Sequence, residues 1–373
     1  MLTRLYVHNY RCFVNFELRP GPNSLLLGYN GVGKTSVFHV LGAIQDLLVW
    51  NKEASDAFPS DTVTFFGEGT RQRFELDVQS PHGPLRYTLV LDHDVEHETA
   101  TIVSEDVFWL GGPLGSDRIY GFANGEVHLS SSDELVDVRT FPFTGQRSYL
   151  SSVDKERANP RLLWFLGFIE QIWILKLNPQ NTRASAKRDE LFLERDGTNF
   201  PSWCRHLLLE SRHHLEAAEE QLRQVMPGFR SLSVQAAGRV RVLVAKFAPQ
   251  GAKKLVDVDF DMLSDGQRAL IILYVVLHAV RDNAKLLCFD EPDNYVSIRE
   301  IQPFLIELAN AADDYGLQTL FVSHSSEVID FLGASNALLL ERPDGGQARV
   351  GTISLGPGLK LSEQMARGWH VAP

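Results

Sequence analysis

The chain has 373 residues, of which 44% are hydrophobic and 22% are charged, so its composition is that of a globular protein and excludes wholesale disorder. A net charge of −11 excludes a general polyanion binder, so any nucleic-acid contact must come from a local basic patch. Cys12, Cys204 and Cys288 lie far apart, which excludes a disulfide framework and a cysteine-based zinc site. No apolar run approaches the roughly 20 residues that span a bilayer. We therefore expect a soluble, cytoplasmic protein without a membrane partner.

Residues 1–150 are predicted to form strands around one helix. The predicted strands cover residues 2–7, 15–18, 24–27, 71–78 and 85–91. A glycine-containing loop leads into a helix from Lys34 to about Trp50, in which apolar residues recur at helical spacing. From 105 to 145, Gly, Ser and Asp residues separate short apolar runs, which predicts hairpins and loops.

The composition changes near residue 151. Residues 151–226 are predicted to be mostly helical, most clearly from about Pro201 to Val225, and Pro227 and Gly228 end this segment. After two β-rich runs, 231–235 and 239–247, helices and strands alternate to the end of the chain. This alternation predicts parallel βαβ units and an α/β fold. We therefore predict three segments: 1–150, a helical insertion at 151–226, and 227–373.

Residues 28–35 (GYNGVGKT) match the phosphate-loop pattern G-x-x-x-x-G-K-[ST], with an apolar strand before them and a helix after them. Glycines let backbone N–H groups turn inward around phosphate oxygens, and a helix N-terminus adds partial positive charge. Lys34 is predicted to reach the β- and γ-phosphates, and Thr35 to complete a Mg²⁺ shell. The predicted nucleotide contacts are Asn30, Gly31, Gly33, Lys34, Thr35 and Ser36. The alternative is a plain glycine-rich turn.

Two acidic residues end a second apolar strand, in the sequence LLCFDE at 286–291. Asp290 is a candidate Mg²⁺ ligand, and Glu291 a candidate base that deprotonates attacking water. The alternative is a solvated loop at a strand end. Ser264, in LSDGQ at 263–267, is a predicted helix N-cap, and the free N–H groups behind it form a second candidate anion site.

LSDGQ resembles the signature motif of ABC-type ATPases, with Asp265 in place of a glycine. The order of phosphate loop, signature, acidic strand end and Ser323-His324 is similar to the motif series of an ABC-type ATPase head. The opening NYRCF at 9–13 resembles the start of SMC, RecF and OLD proteins. DGTNF at 196–200 and MPGF at 226–229 resemble landmarks of OLD/RecF-like, AAA_21-like ATPases. The resemblance spans nearly the whole chain and implies a P-loop head with a mixed sheet, a parallel core, an antiparallel β lobe and a helical insertion.

The resemblance implies roles for single residues and for cofactors. The cofactors are ATP and Mg²⁺, and the activity is hydrolysis of ATP to ADP and phosphate. Arg11 touches the nucleotide phosphates, Glu291 is the catalytic base, and His324 senses or stabilises the γ-phosphate. Ser264, Gly266 and Gln267 close over ATP held by a second copy, which implies an ATP-dependent homodimer.

Two positions depart from the ABC pattern. Ser297 stands where an aspartate is expected five residues after Pro292, and the glutamine of the Q-loop has no clear counterpart. Gln146 is a candidate for that glutamine, and an exposed loop residue is the alternative.

Two further patterns are interpreted as structural. The acidic run at 257–261 has the alternation of a strand, and we expect no Toprim nuclease domain because only about fifty residues follow His324. His206, His213 and His214 are interpreted as a solvated helix face rather than a metal site.

Residues 221–256 contain seven basic residues and no acidic residue. Such a hairpin edge could grip a nucleic-acid backbone, discourage strand aggregation or meet an acidic partner. A weaker basic stretch includes Lys176, Arg183, Lys187 and Arg188. Two functions stay open: a switch that signals to an effector, as in mobile-element or phage-defence systems, and a RecF-like DNA-repair clamp. A transporter ATPase subunit is disfavoured by the long insertion.

Overall fold

The computed structural model describes residues 1–67, 69–112, 115–130, 138–186, 188–238, 240–248, 254–353 and 358–367. The chain divides into two compact units. The first comprises Met1–Ile172 and Ser335–Pro373, and the second comprises Trp173–Ala334. The predicted division into three segments at residues 151 and 227 stays a prediction.

Strands follow one another through much of the first half of the chain, and helices and strands alternate from residue 265 to residue 341. The strands are β1 (Leu2–His8), β2 (Phe16–Leu18), β3 (Asn23–Leu27), β4 (Gln72–Ser80), β5 (Gly83–Asp94), β6 (Thr99–Trp109), β7 (Asp117–Ala123), β8 (Glu126–Ser130), β9 (Val138–Pro142), β10 (Ile172–Leu175), β11 (Ser185–Ala186), β12 (Phe229–Ala237), β13 (Val240–Phe247), β14 (Val256–Asp259), β15 (Leu286–Asp290), β16 (Gln318–Val322), β17 (Ala337–Glu341) and β18 (Arg349–Gly351). The α-helices are α1 (Lys34–Leu48), α2 (Ala54–Ala57), α3 (Pro160–Glu170), α4 (Phe200–Glu210), α5 (Arg212–Val225), α6 (Asp265–Val280), α7 (Ile298–Tyr315), α8 (Ser326–Asn336) and α9 (Leu361–Ala366).

An antiparallel lobe makes up much of the first unit, with strand order β2-β1-β4-β5-β6-β7-β8-β9. Along β5, Leu85, Tyr87, Leu89 and Leu91 are buried at every second position, which is the alternation of a half-buried strand. Gly83 has a φ of 99° and closes the β4–β5 hairpin at the predicted turn. The hairpins predicted from 105 to 145 are confirmed in the described residues, where β6, β7 and β8 each pair antiparallel with the next strand along the chain.

The phosphate-loop strand β3 pairs in parallel with β17, which pairs antiparallel with β18. The predicted strand at 24–27 and the predicted helix from Lys34 are both confirmed. The apolar stripe of α1 is buried throughout, and Gln45 on the same helix donates to the carbonyls of Ile169 and Ile172 at 3.2 and 2.8 Å. These contacts fix the direction in which α1 leaves the loop.

The second unit contains the strand order β10-β15-β16, and β15 and β16 run parallel. All residues of both strands are buried, as expected for a parallel strand covered on both faces. The register aligns Asp290 with Val322, so both strands end at the same edge. The predicted parallel pairing of these two strands is confirmed.

The helical stretch predicted over 201–225 is confirmed, and it consists of two helices, α4 and α5, that meet at Ser211. Ser211 has φ −143° and ψ 44°, which are not helical values, while its N–H still bonds to the Leu207 carbonyl at 2.9 Å. Each helix keeps its own buried apolar face, so helical spacing continues on both sides of the break.

A smaller sheet has the order β11-β13-β12, with β14 pairing to β13. The acidic run predicted as a strand forms β14 over its first three residues, and a single helical turn, Phe260–Met262, leads from it to the signature. The whole is an α/β fold with parallel pairs, an antiparallel lobe and helices, as predicted.

Candidate nucleotide-binding site

The loop between β3 and α1 has a backbone conformation that only glycine adopts readily. Gly28, Gly31 and Gly33 have φ values of 138°, 79° and 106°. A Cβ atom at Gly33 would lie 2.7 Å from a ring carbon of Phe13, and one at Gly28 would clash with the Leu340 carbonyl. The tight course of the loop therefore depends on glycine at these positions.

Lys34 begins α1 and is only 6% exposed. Its ammonium lies back over the loop and donates to the carbonyls of Gly28 and Tyr29 at 2.8 and 3.1 Å. Phosphate oxygens are charged and accept stronger hydrogen bonds than carbonyls do. A buried cation directed into a glycine-rich turn therefore fits a nucleotide phosphate.

The first turn of α1 adds to this fit. No acidic residue lies in the first turn, so the positive end of the helix dipole is not neutralised there. Thr35 and Ser36 are half-buried in this turn, while Asn30 and Gly31 are exposed at the tip of the loop. The predicted phosphate contacts are thus brought together on one short segment.

The N-terminal motif lies against this loop. Phe13 and Cys12 line the space behind Gly33, with the Cys12 sulfur 2.9 Å from where a Cβ atom would lie. Arg11 has a φ of 51°, and its guanidinium contacts the His39 ring on α1. The N-terminal motif at residues 9–13 therefore packs directly against the phosphate loop and α1.

Arg342 was not predicted from the sequence. Its guanidinium donates to the carbonyls of Gly31, Gly345 and Gly346 at 2.9, 2.8 and 2.7 Å, which ties the phosphate loop to the turn after β17. A cavity of about 470 Å³ opens beside this contact, in the size range of small-molecule sites, with Tyr29 in its lining. No sequence motif marks Arg342.

The acidic strand end lies in the second unit. Asp290 is the last residue of β15 and is 3% exposed, and its carboxylate accepts from the Lys176 ammonium at 2.9 Å. Glu291 follows with a φ of 53°, a strained value for a residue with a side chain. Its N–H donates to the Val322 carbonyl at 2.9 Å, which fixes the turn.

The carboxylate of Glu291 lies between two polar side chains. Asn294 Nδ2 donates to Oε2 at 2.7 Å, and His324 Nε2 lies 3.6 Å from Oε1. The structure thus brings Glu291 and His324 together, although 33 positions separate them in the sequence. The carboxylate is held at the surface and remains partly exposed, so it could contact a water molecule.

Asp293 is a further acidic residue that the sequence reasoning missed. One of its oxygens accepts from the Ser323 hydroxyl at 2.9 Å, and the other is buried without a hydrogen-bond partner among the described residues. Burial raises the pKa of this carboxyl, against the lowering effect of the Ser323 bond. The contact joins the turn after Glu291 to the residue before His324, and the only sequence signal was a second acid two positions after Glu291.

The signature segment forms the N-terminus of α6. The predicted N-cap is confirmed: the Gln267 N–H donates to Ser264 Oγ at 3.2 Å, and the Ser264 N–H donates back to Gln267 Oε1 at 3.1 Å. A Cβ atom at Gly266 would lie 2.5 Å from the Tyr295 carbonyl, so the loop after β15 packs directly on this glycine. Ser264 itself is exposed.

Asp265, the departure from the signature pattern, has structural partners. Its carboxylate accepts from Gln180 Nε2 at 3.1 Å and pairs with Arg268, which in turn donates to the Thr182 carbonyl at 3.1 Å. An aspartate here therefore anchors the start of α6 to the segment after β10.

The other candidate positions lie away from these contacts. Ser297 precedes α7, where its hydroxyl donates to Glu300 at 2.5 Å, and Gln146 lies exposed in a loop. His214 Nδ1 lies 2.6 Å from the His278 carbonyl. Within the described ranges, no group of three or more His, Cys, Asp or Glu residues could hold a metal ion by itself, and no helix is long and apolar enough to cross a membrane.

The basic stretch at 221–256 lies largely on the β12–β13 hairpin. Arg230 and Arg241 are exposed, whereas Lys246 is aligned with Asp257 of the neighbouring strand β14. A basic strand therefore lies beside an acidic one. Arg239, Lys253 and, in the weaker stretch, Lys187 lie outside the described residues.

Comparison with known proteins places the chain in a family. A family model described as "AAA domain, putative AbiEii toxin, Type IV TA system" (AAA_21) matches residues 123–330, more than half of the chain. The OLD nuclease of Thermus scotoductus is 35% identical over 65 residues, which are 17% of this chain and 12% of that nuclease. The match therefore spans about an eighth of that curated relative.

Two solved structures share the fold. An SMC head bound to the C-terminal winged-helix domain of ScpA is 12% identical, with 98% of this chain and 99% of that chain covered and a TM-score of 0.57. An SMC head with an extended coiled coil, bound to the C-terminal domain of ScpA and derived from Pyrococcus furiosus, is 12% identical, with 98% of each chain covered and a TM-score of 0.53. The predicted ABC-type head fold is thereby confirmed, and the chain belongs to the AAA_21 family of ATPase domains.

Proposed function

We propose that this protein binds ATP with Mg²⁺, hydrolyses it, and uses the cycle as a conformational switch. The observation that carries the hydrolytic part is the placement of Glu291. Its carboxylate is held between Asn294 and His324 on a strained turn, directly after the buried Asp290. A carboxylate fixed at such a strand end suits the deprotonation of attacking water.

Binding rests on the phosphate loop. Lys34 would hold the β- and γ-phosphates, the N–H groups from Asn30 to Ser36 would surround their oxygens, and Arg11 would contact them from the N-terminal motif. Thr35 and Asp290 would hold Mg²⁺, which when bound neutralises phosphate charge. His324, beside Glu291, would donate to the γ-phosphate.

The test compares hydrolysis with binding in one variant. Glu291→Gln keeps the shape of the side chain but removes its basicity, so we expect turnover to fall about 10²–10⁴-fold while ATP affinity stays near that of the wild type. Phosphate release and calorimetric titration would be measured in parallel. Glu220→Gln, at an exposed position of α5, is the matched control. An unchanged turnover rate in Glu291→Gln would remove Glu291 from the reaction.

The switch requires a second copy of the chain. Ser264, which is exposed, and the half-buried Gly266 and Gln267 form a capped helix N-terminus that would close over the γ-phosphate of ATP on another protomer. Hydrolysis would then reopen the pair.

We propose that the output passes to an effector protein, in a mobile-element or phage-defence setting. The family description names a toxin–antitoxin system, and the two similar SMC heads were solved with a bound ScpA domain. Both support a head that acts through a partner.

The alternative is a RecF-like clamp that binds DNA itself. The exposed Arg230 and Arg241 favour it, while Asp257 of β14, which is aligned with Lys246, reduces the positive charge of the hairpin. Fluorescence anisotropy with a short duplex, at two salt concentrations, separates the two functions. Salt-sensitive binding that is lost in Arg230→Gln/Arg241→Gln would support the clamp, and equal binding by wild type and variant would exclude this hairpin as the contact.

A further inference from the structure

Lys176 directly follows β10, the strand beside β15, and contacts the carboxylate that β15 presents at its end. The Lys176 Nζ to Asp290 Oδ2 distance is 2.9 Å. Lys176 belongs to no sequence motif, and the sequence analysis placed it only in the weaker basic stretch. The contact joins two strand ends that are 114 positions apart in the chain.

The two partners differ sharply in burial. The Asp290 side chain is 2% exposed, whereas the Lys176 side chain is 58% exposed. Burying a carboxylate without a cationic partner costs free energy. Here Lys176 reaches the carboxylate from solvent through its flexible side chain. The backbone N–H of Lys176 donates to the Arg195 carbonyl at 2.8 Å, which anchors the backbone. Only the side chain would have to move for Lys176 to leave Asp290.

An ammonium and a divalent cation cannot both occupy this short contact with Asp290, because like charges at such a distance repel strongly. If Asp290 serves Mg²⁺, as the proposed function requires, Lys176 must withdraw when the ion arrives. The inference that follows therefore rests on the proposed function.

We propose that Lys176 is an internal counter-ion that competes with Mg²⁺ for Asp290. In the nucleotide-free protein, the ammonium offsets the charge of the buried carboxylate. Lys176 would give up this contact to Mg²⁺ that nucleotide phosphates deliver with further ligands of their own. Lys176 would thereby raise the Mg²⁺ concentration that nucleotide binding requires, and it acts as a positioning residue rather than a catalytic one.

The experiment measures how nucleotide binding depends on Mg²⁺. Binding of a fluorescent ATP analogue would be followed while Mg²⁺ is raised, in wild type and in Lys176→Gln, which keeps a polar side chain without the charge. We expect half-maximal binding of Lys176→Gln at about tenfold lower Mg²⁺, since one charged competitor is removed. Lys52→Gln is the matched control, because Lys52 also pairs with an aspartate, Asp46, at 2.9 Å but outside this site. It should behave as wild type.

Lys176→Arg keeps the positive charge that Lys176→Gln removes, so it tests the inference even if Lys176→Gln does not fold. A guanidinium binds carboxylates through two donors, so Lys176→Arg should require at least as much Mg²⁺ as the wild type. An identical Mg²⁺ dependence in all three proteins would overturn the inference, as would loss of nucleotide binding in Lys176→Gln alone. Failure of the wild type to bind nucleotide at any Mg²⁺ concentration would instead overturn the proposed function, and this inference with it.

Discussion

Lys34 is the residue on which we expect nucleotide binding to depend most directly. Its ammonium is buried and bonded to two carbonyls of the loop, so its removal leaves the phosphate groups without their main cationic partner. We expect Lys34→Ala to weaken ATP binding at least about 100-fold, because charge-assisted bonds in a buried site are strong. Isothermal titration measures this directly. Lys52→Ala, at the surface pair on Asp46, controls for the loss of a lysine, and wild-type affinity in Lys34→Ala would refute the phosphate-loop assignment.

Glu105 in the antiparallel lobe predicts a pH dependence of stability. It is fully buried, and its carboxyl accepts from the hydroxyls of Tyr87, Tyr120 and Ser148, each at 2.8 Å. Burial raises its pKa to about 7, although the three hydroxyl bonds oppose the shift. Because the folded state holds a proton that the unfolded state releases above its ordinary pKa of 4.5, the contribution of Glu105 to stability is present below pH 4.5 and is lost as pH rises to about 7.

Glu105→Gln cannot lose this proton. Between pH 4.5 and pH 8, the wild type should lose up to about 3 kcal/mol of its free energy of unfolding through Glu105, as a pKa shift of this size implies. Glu105→Gln should not show this loss. Urea unfolding at both pH values measures the difference, and Glu126→Gln on the exposed part of β8 is the control. Parallel pH profiles for Glu105→Gln and wild type would show that Glu105 does not titrate in this range.

The candidate site residues that could be predicted from the sequence are those that belong to a motif of fixed spacing. Lys34 lies at a fixed place in the phosphate loop, and Glu291 directly follows an apolar strand. Arg342 and Lys176 could not be predicted, because their contacts depend on folding: Arg342 reaches Gly31 from 311 positions away. The turnover experiment on Glu291 tests a residue that the sequence predicted, and the Mg²⁺ experiment on Lys176 tests one that it could not predict.

The helix α6 depends on its N-terminal cap. Ser264 and Gln267 satisfy each other's backbone N–H groups, and the helix is apolar and buried from Ala269 to Leu277. We expect Ser264→Ala to lower the free energy of unfolding by about 1 kcal/mol and Ser264→Gly to lower it by only a few tenths. Chemical denaturation of both variants measures the difference. Equal destabilisation by both substitutions, or none by Ser264→Ala, would contradict a capping role.

Element types were predictable where one periodicity dominated. The strands around the phosphate loop and the buried strands β15 and β16 match the prediction closely, because apolar runs bounded by turns leave little choice. The break at Ser211 and the exact bounds of β6 to β9 were not predicted. A serine between two helices with continuous apolar spacing carries no breaking signal, and strand bounds in the hairpins depend on cross-strand packing as well as on local sequence.

The whole molecule combines two units that each carry part of the motif series. The phosphate loop and the N-terminal motif belong to the first unit, and the signature, Asp290, Glu291 and His324 belong to the second. The order of motifs along the chain predicted the ABC-type fold class, which the likeness to SMC heads confirms. A fold class can be predicted in this way because each motif demands its own strand or helix context, whereas a partner leaves no such mark on the sequence.

We propose above that ATP joins two copies of this chain. Light scattering of Glu291→Gln, with and without ATP and Mg²⁺, tests this dimerisation, because the variant should hold ATP without consuming it. We expect the mass to double only when both ATP and Mg²⁺ are present, and not to double in Lys34→Ala/Glu291→Gln. A mass that does not change although calorimetry shows bound ATP would rule out the ATP-dependent dimer.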